Sequence, residues 1–382
     1  MGNKIEIPTI SIIGLLALSI VFGWFRYGFG LLLPKFKEDF NLSASVLGII
    51  SSLTFLSFLV GALIVIILVS RKGSRPVILA GIFAVSTGLL MAAITHNSMI
   101  FAIGCTIAGL SPGLTWSSFS NSVKQHVKER IQNRSLSIIS TGSTVGLVMI
   151  SSYYLLTDGE WRLIWATGGI IGFVILVWGY RAIPVLKDKQ TSGDRKQINV
   201  RAFMTNQSKP LFLASLLFGI SEATYWTYSA DFVQENFTIS HANAIFFLVA
   251  GVGGIAGLWA GDFINKFGYK VSFVFTVLLY SGSIALLFIA EDWLLVCISG
   301  LLFGCSFMIY AAYLAIWSSK VFPSMPAQGF SFSIVLLNIG AIIGPAVFGA
   351  ILAFVAYKWI FLMVGIIASL KVMLFPVTEE TA

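Results

Sequence analysis

Residues Leu59–Val69 read LVGALIVIILV, apolar throughout. A membrane barrel strand alternates apolar and polar positions over about ten residues, so this stretch is not one. It lies inside a longer apolar run, 44–69. About 20 apolar residues cross a bilayer as a helix. Working outward from this run, twelve segments qualify: 9–33, 44–69, 76–95, 98–122, 135–156, 161–183, 210–231, 242–265, 269–289, 293–319, 328–355 and 357–376. The longest gap between them is 184–209. It is too short for an extramembrane domain.

Composition agrees. Only 10% of the 382 residues are charged and 57% are hydrophobic, against about 25% charged in an ordinary soluble domain. Phe alone accounts for 32 residues, and mean hydropathy is +0.91. A soluble globule of this size needs a polar exterior that the chain cannot supply. Secreted disulfide scaffolds, nucleic-acid binders and ordinary cytosolic enzymes are thereby excluded. An all-α integral membrane protein is expected, and not an enzyme. Cys105, Cys297 and Cys305 lie in apolar runs with no metal or redox spacing, and read as small buried hydrophobes. His96, His126 and His241 fall at or near predicted helix ends, which argues against a metal cluster. No Walker A sequence is present, so neither ATP nor any other cofactor is expected.

Lys and Arg set the orientation. With both termini cytoplasmic, nineteen of the 24 fall in inner loops and tails, Lys371 among them. Four, Lys35, Lys37, Arg162 and Lys358, fall outside, and Arg26 lies within a helix. Trp161, Trp293 and Trp359 then begin their helices at the outer face, as interface anchors. Asp231, Asp262, Glu291 and Asp292 are expected near water. The first apolar run is too long for a signal-peptide core and no small-residue cleavage site follows it, so helix 1 is expected to stay in place. The expected location is the plasma membrane, multi-pass, of the bacterial inner-membrane kind.

Shifting the chain by about half its length reveals a repeat. Phe22-Gly23 falls on Phe218-Gly219, and Glu38-x-Phe40-x-Leu42-Ser43 on Glu235-x-Phe237-x-Ile239-Ser240. Arg71-x-Gly73-x-Arg75 falls on Lys266-x-Gly268-x-Lys270, and Trp161 on Trp359. Four matches in one order at nearly one offset suggest two parallel six-helix halves, 1–183 and 210–382, joined by a cytoplasmic loop, 184–209. Parallel repeats of this kind place a substrate site near the bilayer midplane.

With these residues in view, the whole chain resembles the major facilitator superfamily. The superfamily motif after helix 2, G-x-x-x-D-R-x-G-R-R, appears as Ile66-x-x-x-Ser70-Arg71-Lys72-Gly73-Ser74-Arg75, and after helix 8 as Gly261-x-x-x-Asn265-Lys266-Phe267-Gly268-Tyr269-Lys270. Arg71, Gly73 and Arg75 remain, while neither copy keeps the acid at its usual place. The run Arg26-Tyr27-Gly28-Phe29-Gly30-Leu31-Leu32-Leu33-Pro34 looks like a bacterial branch of the superfamily. The resemblance implies two pseudo-symmetric bundles, a central cavity lined by helices 1 and 7, and a small-molecule substrate carried by a monomer in the lipid bilayer.

Arg26 and Glu222 stand out as charges inside predicted spans. Pro34 is read as the outer end of helix 1, so Arg26 lies about 12 Å below it. A mid-span Arg costs about 2.5–3.5 kcal/mol to insert and calls for an inward-facing partner. The repeat pairs position 26 with 222. Either Arg26 meets an anionic group and Glu222 carries a proton, or the two form a structural ion pair, or one of them snorkels outward. Tyr225, Trp226 and Ser229 share the Glu222 face. Tyr27, Trp116, Asn121, Tyr310, Tyr313 and Asn338 are further candidates for substrate contact, with helix–helix hydrogen bonding as the competing role. Gly340, Gly344 and Pro345 suggest close packing or a hinge in helix 11. The expected function is secondary transport of a small organic anion or zwitterion, coupled to H+. An efflux antiporter for hydrophobic or cationic compounds, or a non-transporting membrane sensor or scaffold, would fit the same composition.

Overall fold

The computed structural model describes residues 8–184, 204–323 and 326–374. These residues form twelve helices and no strand. The first six are α1 (Thr9–Phe40), α2 (Ala44–Lys72), α3 (Ser74–Ile94), α4 (Ser98–His126), α5 (Glu129–Leu156) and α6 (Trp161–Ala182). Then come α7 (Ser208–Asn236) and α8, which is built of three pieces, Ala242–Gly254, Ile255–Trp259 and Ala260–Phe267. The last four are α9 (Tyr269–Ile289), α10 (Trp293–Val321), α11 (Pro326–Ile351) and α12 (Tyr357–Leu374). Most of the central stretch 184–209, namely 185–203, lies outside the described residues.

Ten of the helices are long and apolar enough to cross a membrane, all except α7 and α8. The other two helices differ from these ten in composition and continuity. The α7 segment is diluted by Ser, Thr, Tyr, Glu222 and Asp231, yet nearly all of these side chains are buried. Neighbouring helices shield them from lipid. The α8 segment, expected to be continuous, tightens to a 3-10 turn over Ile255–Trp259, just after Gly251, Gly253 and Gly254. Glycines weaken helix interiors by about 1 kcal/mol each relative to Ala.

The chain divides into two compact units, Met1–Phe40 with Leu56–Gly193, and Asn41–Phe55 with Asp194–Ala382. Within the first, α1 packs on α5, and α3 on both α4 and α6. Within the second, α7 packs on α11, and α9 on both α10 and α12. The same pairings therefore recur with a shift of six helices. The α1–α5 contact brings Gly142 against the Leu15 carbonyl and Gly146 against that of Ser19. The α7–α11 contact likewise brings Gly219 against the Leu337 carbonyl and Gly340 against that of Leu216. A Cβ at any of these glycines would overlap backbone, so glycine here sets how closely the helices approach.

The first part of α2 belongs to the second unit. Ser45 Oγ donates to the Gly349 carbonyl at 2.5 Å, Ser51 and Thr227 share a hydrogen bond at 3.0 Å, and Phe55 packs with Ala223 and Ala341.

In α1 the expectation that Pro34 ends the helix is corrected: the helix runs on to Phe40. Pro removes one backbone donor, while the added turns place Phe36 and Phe40 against Phe101 at 4.8 and 4.7 Å and against Trp161 at 5.0 and 5.8 Å. Upstream, Ser19–Tyr27 widens into a π-helix, where the Gly28 N–H reaches the Gly23 carbonyl.

Candidate functional site

The π-helical segment of α1 carries Arg26. Its guanidinium is half-buried and lies 5.7 Å from the centre of the Phe22 ring and 5.4 Å from that of Phe58. Trp116 meets Phe22 edge-on at 5.7 Å, and Tyr27 lies 6.5 Å from it. A guanidinium over ring faces is held by the ring quadrupole. π turns occur often at functional sites, and no motif in the sequence signals this one. Asn121, one helical turn and a residue beyond Trp116, is half-buried.

The second unit holds Glu222, which is 1% exposed. Glu222 shares its unit with Lys371, on the last turn of α12, which is 0% exposed. The Lys371 ammonium sits 4.0 Å from the Tyr280 ring centre, 4.3 Å from that of Tyr310 and 4.9 Å from that of Phe218. This corrects the assignment of Lys371 to a cytoplasmic tail. The residue is a buried lysine in an aromatic box. Tyr310 is fully buried, and its hydroxyl makes no hydrogen bond among the described residues.

Other candidates are engaged in packing. Tyr225 stacks on Phe303 at 3.6 Å, and its hydroxyl lies 3.0 Å from Ser299 Oγ. Trp226 lies edge-on to Phe247 and Phe303 at 5.4 and 5.1 Å. Tyr313 bonds Ser272 and the Tyr269 carbonyl. Asn338 is buried and donates to the Ile334 carbonyl of its own helix at 2.9 Å. Gly340 and Gly344 sit against α7: a Cβ at Gly344 would lie 2.6 Å from the Ile220 carbonyl oxygen. The Pro345 carbonyl accepts from the Tyr228 hydroxyl at 2.7 Å.

Asp231 is also corrected. Expected near water, it is 1% exposed and accepts from the Tyr357 hydroxyl. Trp161, expected as an interface anchor, is buried and donates to Asp39 at 3.0 Å. Asp39 also takes the Arg162 guanidinium at 2.7 Å. Trp359 stays exposed.

The two loop motifs share one backbone device. Gly73 and Gly268 both adopt φ of 77°, which L side chains disfavour. Arg75 donates to the Tyr180 carbonyl and lies 4.9 Å from its ring centre, tying the loop to the end of α6. Arg71 is exposed. Lys266 lies 5.5 Å from the Phe267 ring centre, and Lys270 follows the second turn. The side chains at Ile66, Ser70, Gly261, Asp262 and Asn265 lie outside the described residues.

Comparison with known proteins places this arrangement. The family model described as Major Facilitator Superfamily matches residues 15–315 and 211–382. The inner membrane transport protein YdhP of Escherichia coli (strain K12) is 22% identical over 354 residues, covering 90% of this chain and 89% of the relative. An uncharacterized transporter of Rickettsia bellii is 25% identical over 251 residues, covering 61% of this chain and 60% of its own. Among solved structures, the nucleoside transporter NupG superposes with a TM-score of 0.75 at 15% identity, covering 97% of this chain and 98% of its own. A bacterial homolog of the human lysosomal transporter Spinster, inward-facing and occupied, gives 0.76 at 12%, covering 98% and 97%. With the fold, the helical spans and the family match in agreement, the chain is a multi-pass membrane transporter belonging to the Major Facilitator Superfamily.

Proposed function

We propose that the protein moves a small organic anion or zwitterion across the membrane by alternating access, coupled to H+. Glu222 is the proton carrier and Arg26 receives the anionic group of the solute. The observation that carries this reading is the complete burial of Glu222 in the middle of α7. A carboxylate held away from water changes charge cheaply only by binding a proton. Arg26 is held over ring faces of its own unit, and a guanidinium is the side chain that matches a planar carboxylate in two-point contact.

The working unit is a monomer with both termini cytoplasmic, as the Lys and Arg distribution favours. Efflux of a cation is the weaker reading. A cation approaching Glu222 would enter a unit that already holds a buried basic side chain, Lys371. The named relatives supply membrane transport as a class and no single solute.

The test is a thermal-shift screen of small carboxylates and amino acids on purified protein, repeated on Arg26→Ala. A carboxylate that stabilises the wild type and not Arg26→Ala supports the assignment. A cationic compound that stabilises both equally overturns it.

A further inference from the structure

Four helix ends of the first unit meet at one corner: the end of α2, the start of α3, the end of α4 and the end of α6. Lys72, Ser74, Arg75, His126 and Tyr180 from these ends line a pocket of about 300 Å³. Arg75 donates to the Tyr180 carbonyl and lies 4.9 Å from its ring centre, which fixes α3 to α6 here. Beside the pocket, Leu79, Ala80 and Phe83 of α3 and Leu176 and Val177 of α6 line an open groove of about 560 Å³. Leu79 and Tyr180 border both cavities, so groove and pocket adjoin. Arg181, on the last turn of α6, borders the groove as well.

The pocket is built for negative charge. Lys72, Arg75, His126 and Arg181 make no ion pair with a carboxylate among the described residues. Ser70 stands where the superfamily motif carries its acid, so the loop holds no acid to neutralise its own cations. The start of α3 borders the pocket, and its N-cap, Gly73, offers no side-chain hydrogen bond. A helix N-terminus carries partial positive charge and unbonded amides that suit a phosphate. Ser74 is 2% exposed, and neither its hydroxyl nor Arg75 Nε has a hydrogen-bond partner among the described residues. The chain that follows Pro184, residues 185–203, carries five Lys or Arg against two Asp. Its charge does not complement the pocket.

The groove is built for hydrocarbon. Both α3 and α6 are long and apolar enough to cross the membrane, and Ala80, Phe83 and Val177 are exposed on them. Side chains exposed on such spans meet acyl chains.

From this geometry we infer that the corner is a binding site for one anionic phospholipid. Its phosphate sits beside Lys72, Arg75 and the first turn of α3, and an acyl chain lies in the groove between α3 and α6. The pocket by itself would suit any soluble phosphate; the adjoining groove selects a ligand with an apolar tail. The Lys and Arg distribution favours this side as cytoplasmic, where basic residues attract anionic headgroups. The inference depends neither on the solute nor on Glu222.

The test uses purified, delipidated full-length protein in detergent. Phosphatidylglycerol, phosphatidylcholine and glycerol phosphate are the probes, native mass spectrometry counts bound lipid, and Tm is read for each. Phosphatidylglycerol should bind more tightly than phosphatidylcholine by about fivefold or more, as one basic residue near an anionic headgroup contributes, and should raise Tm. Glycerol phosphate should leave Tm unchanged. Lys72→Gln combined with Arg181→Gln should abolish the preference. Ala80→Trp, which fills the groove and leaves every charge in place, should weaken phosphatidylglycerol binding. All three positions are exposed, and Tm without lipid checks that each variant folds. If Ala80→Trp does not fold, Val177→Trp fills the groove from the α6 side. Equal binding of the two lipids, a preference that survives the double variant, or binding unchanged by a filled groove overturns the inference. Equal stabilisation by glycerol phosphate also overturns it, in favour of a soluble-anion site.

Discussion

The hydroxyl of Tyr228 donates to the carbonyl of Pro345 at 2.7 Å, joining α7 to the one proline inside α11. Gly48 and Gly349 pass close against the same hydroxyl, so the bond lies where α2, α7 and α11 meet within the second unit. Tyr228→Phe keeps the ring and removes the bond. A single buried hydrogen bond contributes about 0.5–1.5 kcal/mol, so a modest fall in Tm is expected in detergent. An unchanged Tm would mean that packing of the ring alone holds this junction.

Gly344 shows the same junction from the α11 side. A Cβ there would lie 2.6 Å from the Ile220 carbonyl oxygen and 2.7 Å from Thr224 Oγ1. Gly344→Leu should destabilise the protein by about 1–3 kcal/mol through overpacking, read as a lower Tm. If stability is unchanged while turnover falls, Gly344 acts in a hinge and not in packing.

Gly268 isolates a backbone effect. Its φ is 77° and ψ 159°, and nothing lies within 4 Å of a Cβ built on it. Gly268→Ala therefore adds strain without collision, at a cost of order 1–3 kcal/mol. A thermal unfolding series should show this loss, and an Ala variant as stable as wild type would contradict the turn geometry.

Orientation is tested by labelling. Single cysteines within 184–209 should react only from the cytoplasmic side, and one at position 160 only from outside. Reaction of the central stretch from outside would reverse the assignment made from Lys and Arg.

Much of the helical plan was legible in the sequence because continuous apolarity has one physical reading in this length range. The repeat was legible for the same reason that Gly23 and Gly219 match: both sit where two helices touch through backbone. Three features were hidden. Lys371 falls inside the last apolar segment, yet its charge was assigned to the tail, because a lysine near a span end ordinarily snorkels to water. What holds it inside is a box of rings from α7, α9 and α10, far apart in sequence. Asp231 was hidden in the same way, since its partner Tyr357 is 126 residues away. The π-helical widening around Arg26 lies where Gly23 meets the Gly146 backbone of α5, and side-chain periodicity gives no clue to it.

Arg26 offers a graded test of anion recognition. Arg26→Ala should abolish stabilisation by the carboxylate found in the screen, and Arg26→Lys should restore only part of it, since Lys cannot make the planar two-point contact. Full recovery in the Lys variant would reduce Arg26 to a point charge.

The most direct measurement is accumulation of that carboxylate into proteoliposomes under an imposed proton gradient, comparing wild type with Glu222→Gln. Gln imitates the protonated acid, so the expected result is retained binding and exchange with loss of uphill accumulation. Accumulation against the solute gradient by Glu222→Gln, driven by the proton gradient as in wild type, would contradict the coupling role of Glu222.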